Sequence, residues 1–166
     1  MPLTETDQRR IDAFRTAVEK RLSDDGRLGP MERDDREDGS SLASRFRVGE
    51  HLWIELCLRP LIPQLRAGIV TDDRWVSEDL EQAIEDSGDS MSEFVELGFD
   101  EVDLDEPEPV VEHYRDRGKY FYFSTGFELD SLERLDDDRV RDRITRMCLG
   151  YYEAFRPAIE KAAAES

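Results

Sequence analysis

The stretch that most constrains this chain is KYFYFSTGFELD, residues 119–130. Phe121, Phe123, Thr125, Phe127 and Leu129 fall on one side, and Tyr120, Tyr122 and Ser124 on the other. A period of two over such a length, rich in aromatics, predicts a β-strand with one apolar face. Downstream, Val140, Ile144, Met147, Cys148, Tyr151, Phe155 and Ile159 recur every three or four residues, the period of a helix. Strand and helix offer each other matching apolar faces, so Lys119 to Ala164 is the expected core.

The elements upstream follow the same logic. Ile11, Phe14, Val18 and Leu22 form the stripe of a first helix from Thr6 to Leu22, with Thr4 or Thr6 as its cap. A charged, glycine-containing stretch, residues 23–41, is expected to be a mobile loop, with a lid over a site as the alternative. Leu42, Ser44, Phe46 and Val48 alternate with Ala43, Arg45 and Arg47, which gives a strand. Gly49-Glu50 fits a two-residue hairpin turn. The return strand sets Leu52, Ile54, Leu56 and Leu58 against His51, Trp53, Glu55, Cys57 and Arg59. Leu65 to Thr71 is a candidate third strand. Ser77 reads as the cap of a helix ended by Ser87-Gly88, and Ser90 opens a short helix from Met91 to Leu97 with Gly98 at its end. An acidic connector, residues 100–109, leads to a second hairpin, Pro109 to Arg115 and Lys119 to Leu129. Asp136 is placed to cap the last helix, where Pro157 removes one backbone bond. The expected fold is a single α+β domain spanning residues 1–166. An antiparallel sheet of about five strands carries the first and last helices on one face, in the order α-β-β-(β)-α-α-β-β-α.

Charge narrows the partners. The chain holds 41 acidic and 23 basic residues, a formal net charge of −18, and only three of the basic residues are lysine. In a chain with periodic apolar faces this resembles the surface of a protein from an extreme halophile, and work in molar salt, where the Debye length is roughly 3 Å at about 1 M, is expected. Such a surface repels phosphate, so neither nucleic acid nor an anionic membrane is an expected partner. No apolar run approaches the roughly 18 residues of a membrane span. Met1-Pro2-Leu3-Thr4-Glu5 does not read as a signal peptide, and a cytoplasmic location is expected. Cys57 and Cys148 are expected to be buried free thiols.

Catalytic signatures are largely missing. There is no glycine-rich phosphate loop, no G-x-G-x-x-G and no G-x-S-x-G. Glu55-Leu56-Cys57 lacks the lysine that a nuclease strand of the PD-(D/E)xK type needs. His51 and Cys57 stand about 20 Å apart on an extended strand, and His113 is remote in sequence, so no metal centre and no cofactor are expected. Asp34-Asp35, Asp72-Asp73 and Asp136-Asp137-Asp138 read as caps and solvated surface. Arg139, Arg143 and Arg146 read as a salt-bridged helix face. The feature that does suggest function is the second sheet face, with Trp53, His51, Glu55, Tyr120 and Tyr122, joined by His113 or Tyr114 according to the facing of their strand. Aromatics with polar tips on a face free of helices suit a partner or a ligand.

The aromatic FYF strand, followed by a final helix carrying Tyr151-Tyr152-Glu153-Ala154-Phe155-Arg156-Pro157, resembles the type III secretion chaperone-like fold shared with the bacterial sensory-transduction regulators. The order of elements agrees over most of the chain, apart from residues 23–41 and the helix at Met91–Leu97. The resemblance implies a dimeric, non-enzymatic binder of other polypeptides. The leading expectation is a protein-binding or regulatory module without catalysis, paired with itself or with another protein through the aromatic face. The alternative is a hydrolase, or a nucleotide- or small-ligand-binding enzyme, built from Glu55, His113 and Trp53 beneath the 23–41 loop.

The charge alone sets one prediction. Adding KCl up to molar concentration screens the self-repulsion of the acidic surface, so the melting temperature rises with salt. A melting temperature flat or falling over that range contradicts it.

Overall fold

The computed structural model describes residues 3–165. Helix α1 (Glu5–Asp25) opens on a capping box in which the Thr4 hydroxyl accepts from the Asp7 amide, and it ends at Gly26 in the left-handed region at φ 89°. Six strands follow in two groups: β1 (Met31–Arg33), β2 (Leu42–Gly49), β3 (Leu52–Arg59) and β4 (Gln64–Thr71), then β5 (Glu112–Asp116) and β6 (Tyr120–Glu128). Between the groups lie α2 (Arg74–Ser87) and α3 (Met91–Glu101), and a 3-10 turn, Leu132–Asp136, leads into α4 (Asp138–Glu165). The sheet is antiparallel in the order β1-β2-β3-β4-β6-β5. The α+β class stands, with six strands in place of about five.

Register fixes which residues share a face. Phe46, Ile54, Ile69 and Phe123 line up across β2, β3, β4 and β6, all fully or nearly fully buried beneath the helices. Phe155 of α4 sits 5.5 Å from Phe123 and 5.0 Å from Phe94 of α3, centroid to centroid. Each such ring contributes roughly 1.5–3 kcal/mol by burial. Two hydroxyls of this core, Thr125 and Tyr151, satisfy one another at 2.7 Å. Helix α1 docks through Glu19, which accepts from Ser44 at 2.6 Å and from Arg33 at 2.8 and 2.9 Å.

Several boundaries shift for identifiable reasons. The stretch 23–41 is not an open loop: α1 runs to Asp25, and Met31–Arg33 pairs with Ser44–Phe46 as an edge strand. A bulge between Arg47 and Gly49 moves the first hairpin turn one residue on, to Glu50-His51, so His51 belongs to the turn and not to a strand face. Asp73 caps α2 by accepting the Trp75 amide at 2.8 Å, which leaves Ser77 inside the helix. Asp137, not Asp136, accepts from the Arg139 amide at the start of α4. Arg139, Arg143 and Arg146 pair with Asp137, Glu106 and Asp142, the salt-bridged face expected of them.

Gly98 does not end α3, which continues to Glu101, so the acidic connector begins later than residue 100. A Cβ at Gly98 would lie 2.2 Å from the Gly150 carbonyl oxygen and 2.6 Å from Ala154 Cβ. The glycine is there so that α3 can lie directly on α4. Alanine is by itself the better helix former by about 1 kcal/mol, yet Gly98→Ala is predicted to lower stability by roughly 1–3 kcal/mol through overpacking. Chemical denaturation checks this, and an unchanged or raised midpoint contradicts it.

Candidate functional site

The sheet face away from the helices is strongly concave. In a flat sheet the edges β1 and β5, five places apart, would be separated by about 24 Å at roughly 4.8 Å per strand. Asp34, directly after β1, nevertheless meets Arg117, directly after β5, at 2.9 Å, and Arg36 meets Asp116 at 2.8 Å. The sheet therefore curls until the segment after β1 reaches the β5–β6 turn. That turn is tight because Arg117 and Gly118 both take positive φ, 54° and 64°.

Three rows of side chains fill the concavity. Trp53, Val70 and Tyr122 align across β3, β4 and β6 as a second small core, with Tyr114 stacked on Tyr122 at 4.9 Å. Arg45, Glu55, Gly68, Ser124 and Glu112 form the middle row. Ala43, Cys57, Arg66 and Gly126 form the third. Gly126 gives room for the Arg66 side chain: a Cβ there would lie 3.1 Å from Arg66 Cγ.

Arg45 binds the rows together. It is 3% exposed and donates from Nε to Glu55 Oε2 at 2.8 Å and from Nη2 to the Tyr122 hydroxyl at 2.8 Å, while Nη1 meets Asp34 at 3.0 Å. Its guanidinium lies 4.3 Å from the centre of the Tyr120 ring. Tyr122 in turn faces Glu55 Oε2 at 3.3 Å. Burial pushes the Glu55 carboxyl above its ordinary range, and Arg45 offsets only part of that. Burial also lifts the Tyr122 hydroxyl, with the Glu55 charge adding to the effect. Burial opposes the charge on Arg45, yet Glu55 and Tyr122 hold the group above its usual value.

Beside this network lies a cavity of about 370 Å³. Its floor is Glu55, Gly68 and Ser124, and its walls are Cys57 and Arg66 on one side and Tyr114 and Tyr122 on the other. Arg36, Ser40 and Ser41 cover it from the segment after β1, and Arg59, Leu61 and Ile62 stand at the β3–β4 turn. Ser41 Oγ rests 3.2 Å from Cys57 Sγ, and burial lifts the Cys57 thiol above its ordinary value, so it is not a thiolate nucleophile at neutral pH. Two polar groups of the lining, on residues more than nine-tenths buried, make no hydrogen bond of good geometry: Arg66 Nε, and Ser124 Oγ, which faces the Tyr114 hydroxyl. Trp53 Nε1 and Gln64 Oε1 are likewise unsatisfied elsewhere in the fold. Arg66 Nη2 stands 2.8 Å from Glu112 Oε2, an ion pair without hydrogen-bond geometry. Buried groups of this kind normally find a partner.

Of the residues expected on this face, Trp53, Glu55, Tyr114, Tyr120 and Tyr122 do come together there. His113 does not: it stacks on Phe123 at 3.9 Å on the helix side, with Nδ1 2.8 Å from the Tyr122 carbonyl oxygen and Nε2 2.7 Å from Glu81. His51 lies in the hairpin turn against Asp72. A site built jointly from Glu55, His113 and Trp53 is thus ruled out by facing. The aromatic face is not open either, since Trp53 is 6% and Tyr122 5% exposed beneath Arg45, Arg47 and the edge contacts. Arg66 and Ser124 were not among the expected site residues. The signal for Arg66 was a lone charge in the apolar strand QLRAGIVT, and for Ser124 its place in alternation with Tyr122.

Among the described residues no three His, Cys, Asp or Glu side chains converge as metal ligands, and no helix is long and apolar enough to cross a membrane. No family model, curated protein or solved structure matches the chain.

Removing Arg45 leaves Glu55 buried without its cation, so Arg45→Met is predicted to cost about 3–5 kcal/mol near neutral pH. The Glu55 carboxyl is already raised, and this change raises it further. A raised carboxyl favours the fold below its unfolded value, and that advantage is lost as pH rises through the folded value. The deficit of the variant relative to the native chain is therefore smaller at about pH 5 than at about pH 8, and Glu55→Gln in the variant removes the difference. Urea midpoints at the two pH values measure it, and an equal deficit at both contradicts the assignment.

Proposed function

We propose that this chain is a small-molecule-binding module without catalysis of its own, which holds its ligand in the cavity on the concave sheet face. The observation that carries this reading is Arg66 Nε in the cavity lining, a donor of a buried charged group that has no acceptor. Such a donor normally finds a partner, and a ligand in the cavity would supply one. The volume, about 370 Å³, lies within the roughly 300–1,000 Å³ usual for such sites.

Binding is favoured over catalysis because the titratable groups are already committed. Glu55 is held by Arg45 and Tyr122, and the Cys57 thiol is kept protonated by burial. Pairing of two copies through the aromatic face draws no support from residues as deeply covered as Trp53 and Tyr122. This reading keeps the absence of catalysis from the leading expectation and takes from the enzyme alternative only a ligand site on this sheet face, with Glu55 retained and His113 and Trp53 removed from it.

The test is an NMR fragment screen on the native chain. Hits are expected to perturb Cys57, Tyr114 and Ser124 together, and Ser41→Trp, which fills the cavity from its cover, is expected to abolish them. A screen without hits at this cavity, or hits that persist in Ser41→Trp, contradicts the proposal.

A further inference from the structure

The chemistry of the cavity wall also points to a class of ligand. The outer edge of an arginine, Nε with Nη2, is the geometry that receives both oxygens of one carboxylate. On Arg66 that edge is half used. Nη2 stands 2.8 Å from Glu112 Oε2 in poor alignment, and Nε has no partner. Glu112 lies on the edge strand β5 with a side chain 57% exposed, so releasing it to water costs little. It behaves as a carboxylate that approaches the seat without filling it.

Charge agrees. The cavity lining carries Arg36, Arg59 and Arg66 against Glu55 and Asp116, one positive charge in excess on a chain of net −18. Arg36 is taken by Asp116, but Arg59 is half-buried and has no ion pair among the described residues. One unit of negative charge is what the lining lacks. The opposite requirement is apolar: Leu61 and Ile62 are more than half exposed at the rim, and the Tyr114 ring forms part of the wall.

We infer that the ligand is a small monocarboxylate with an apolar body, whose carboxylate takes the Nε and Nη2 edge of Arg66 in place of Glu112 and accepts a hydrogen bond from Ser124. The apolar body lies against Tyr114 and the Leu61-Ile62 turn. This inference rests on the reading of the cavity as a ligand site.

The experiment uses phenylacetate, its neutral isostere phenylacetamide, and inorganic phosphate as probes. Each is titrated into the native chain at one KCl concentration in which every variant is folded, and the Arg side-chain Nε–H signals are followed by NMR. Phenylacetate is expected to shift the Arg66 Nε–H and Ser124 signals and to bind at least about tenfold more tightly than the amide or phosphate. Arg66→Gln is expected to erase that preference. Glu112→Ala, an exposed edge change that leaves the core intact, is expected to tighten phenylacetate about threefold or more by removing the competitor. Equal binding of acid and amide in the cavity overturns the carboxylate inference and leaves the ligand site standing. Phosphate binding as well as phenylacetate, looser binding in Glu112→Ala, or no phenylacetate shift at Arg66 each overturn it too. Loss of all cavity hits in the fragment screen overturns the site itself.

Discussion

The structure depends on one buried guanidinium. Arg45 leaves β2 on the concave face and joins Glu55 on β3, Tyr122 and Tyr120 on β6, and Asp34 in the segment beyond β1. It thereby ties together strands that a flat sheet would keep far apart. A buried ion pair of this kind is weak evidence for stability, since desolvation of both charges opposes their attraction. What it does supply is geometry. With Arg45 in place the sheet stays curled, Tyr122 and Trp53 stay covered, and the space between Arg66, Glu55 and Ser124 stays open as a cavity.

The acidic surface and this interior obey the same electrostatics in different dielectrics. Outside, ion pairs such as Lys20–Asp24 and Arg156–Glu160 are exposed and each is worth little. Away from bulk water, charges interact over short distances with less screening, so their partners are chosen one by one. Arg15 takes Asp35 through two bonds of 2.9 Å, which fixes the segment after β1 against α1, while Arg36 and Arg117 fix it to the far edge of the sheet. A stretch that is highly charged in sequence is thus held by its charges.

Much of the fold was readable because local period and burial agree. The alternation in KYFYFSTGFELD and the helical rows of α4 are both present, and they pack face to face. The strand Met31–Arg33 was not readable, because three residues with two charges carry no alternation and pair only because β2 offers an edge. Gly98 looked like a stop signal, but its purpose lies in a neighbouring helix. The same division holds for the site. Alternation alone put Trp53, Glu55, Tyr120 and Tyr122 on one face. It could not orient His113, whose facing is set by its pairing with Phe123, and it could not show the curl that turns a flat row of side chains into a cavity.

The most direct test of this account is NMR on Arg45 itself. Its Nε–H, bonded to a buried carboxylate, is predicted to exchange slowly with water, and its δ protons to show cross-relaxation with the ring of Tyr120. An Nε–H that exchanges at the rate of an exposed arginine, with no contact to that ring, would mean that the sheet is not curled around Arg45 and that the cavity does not exist.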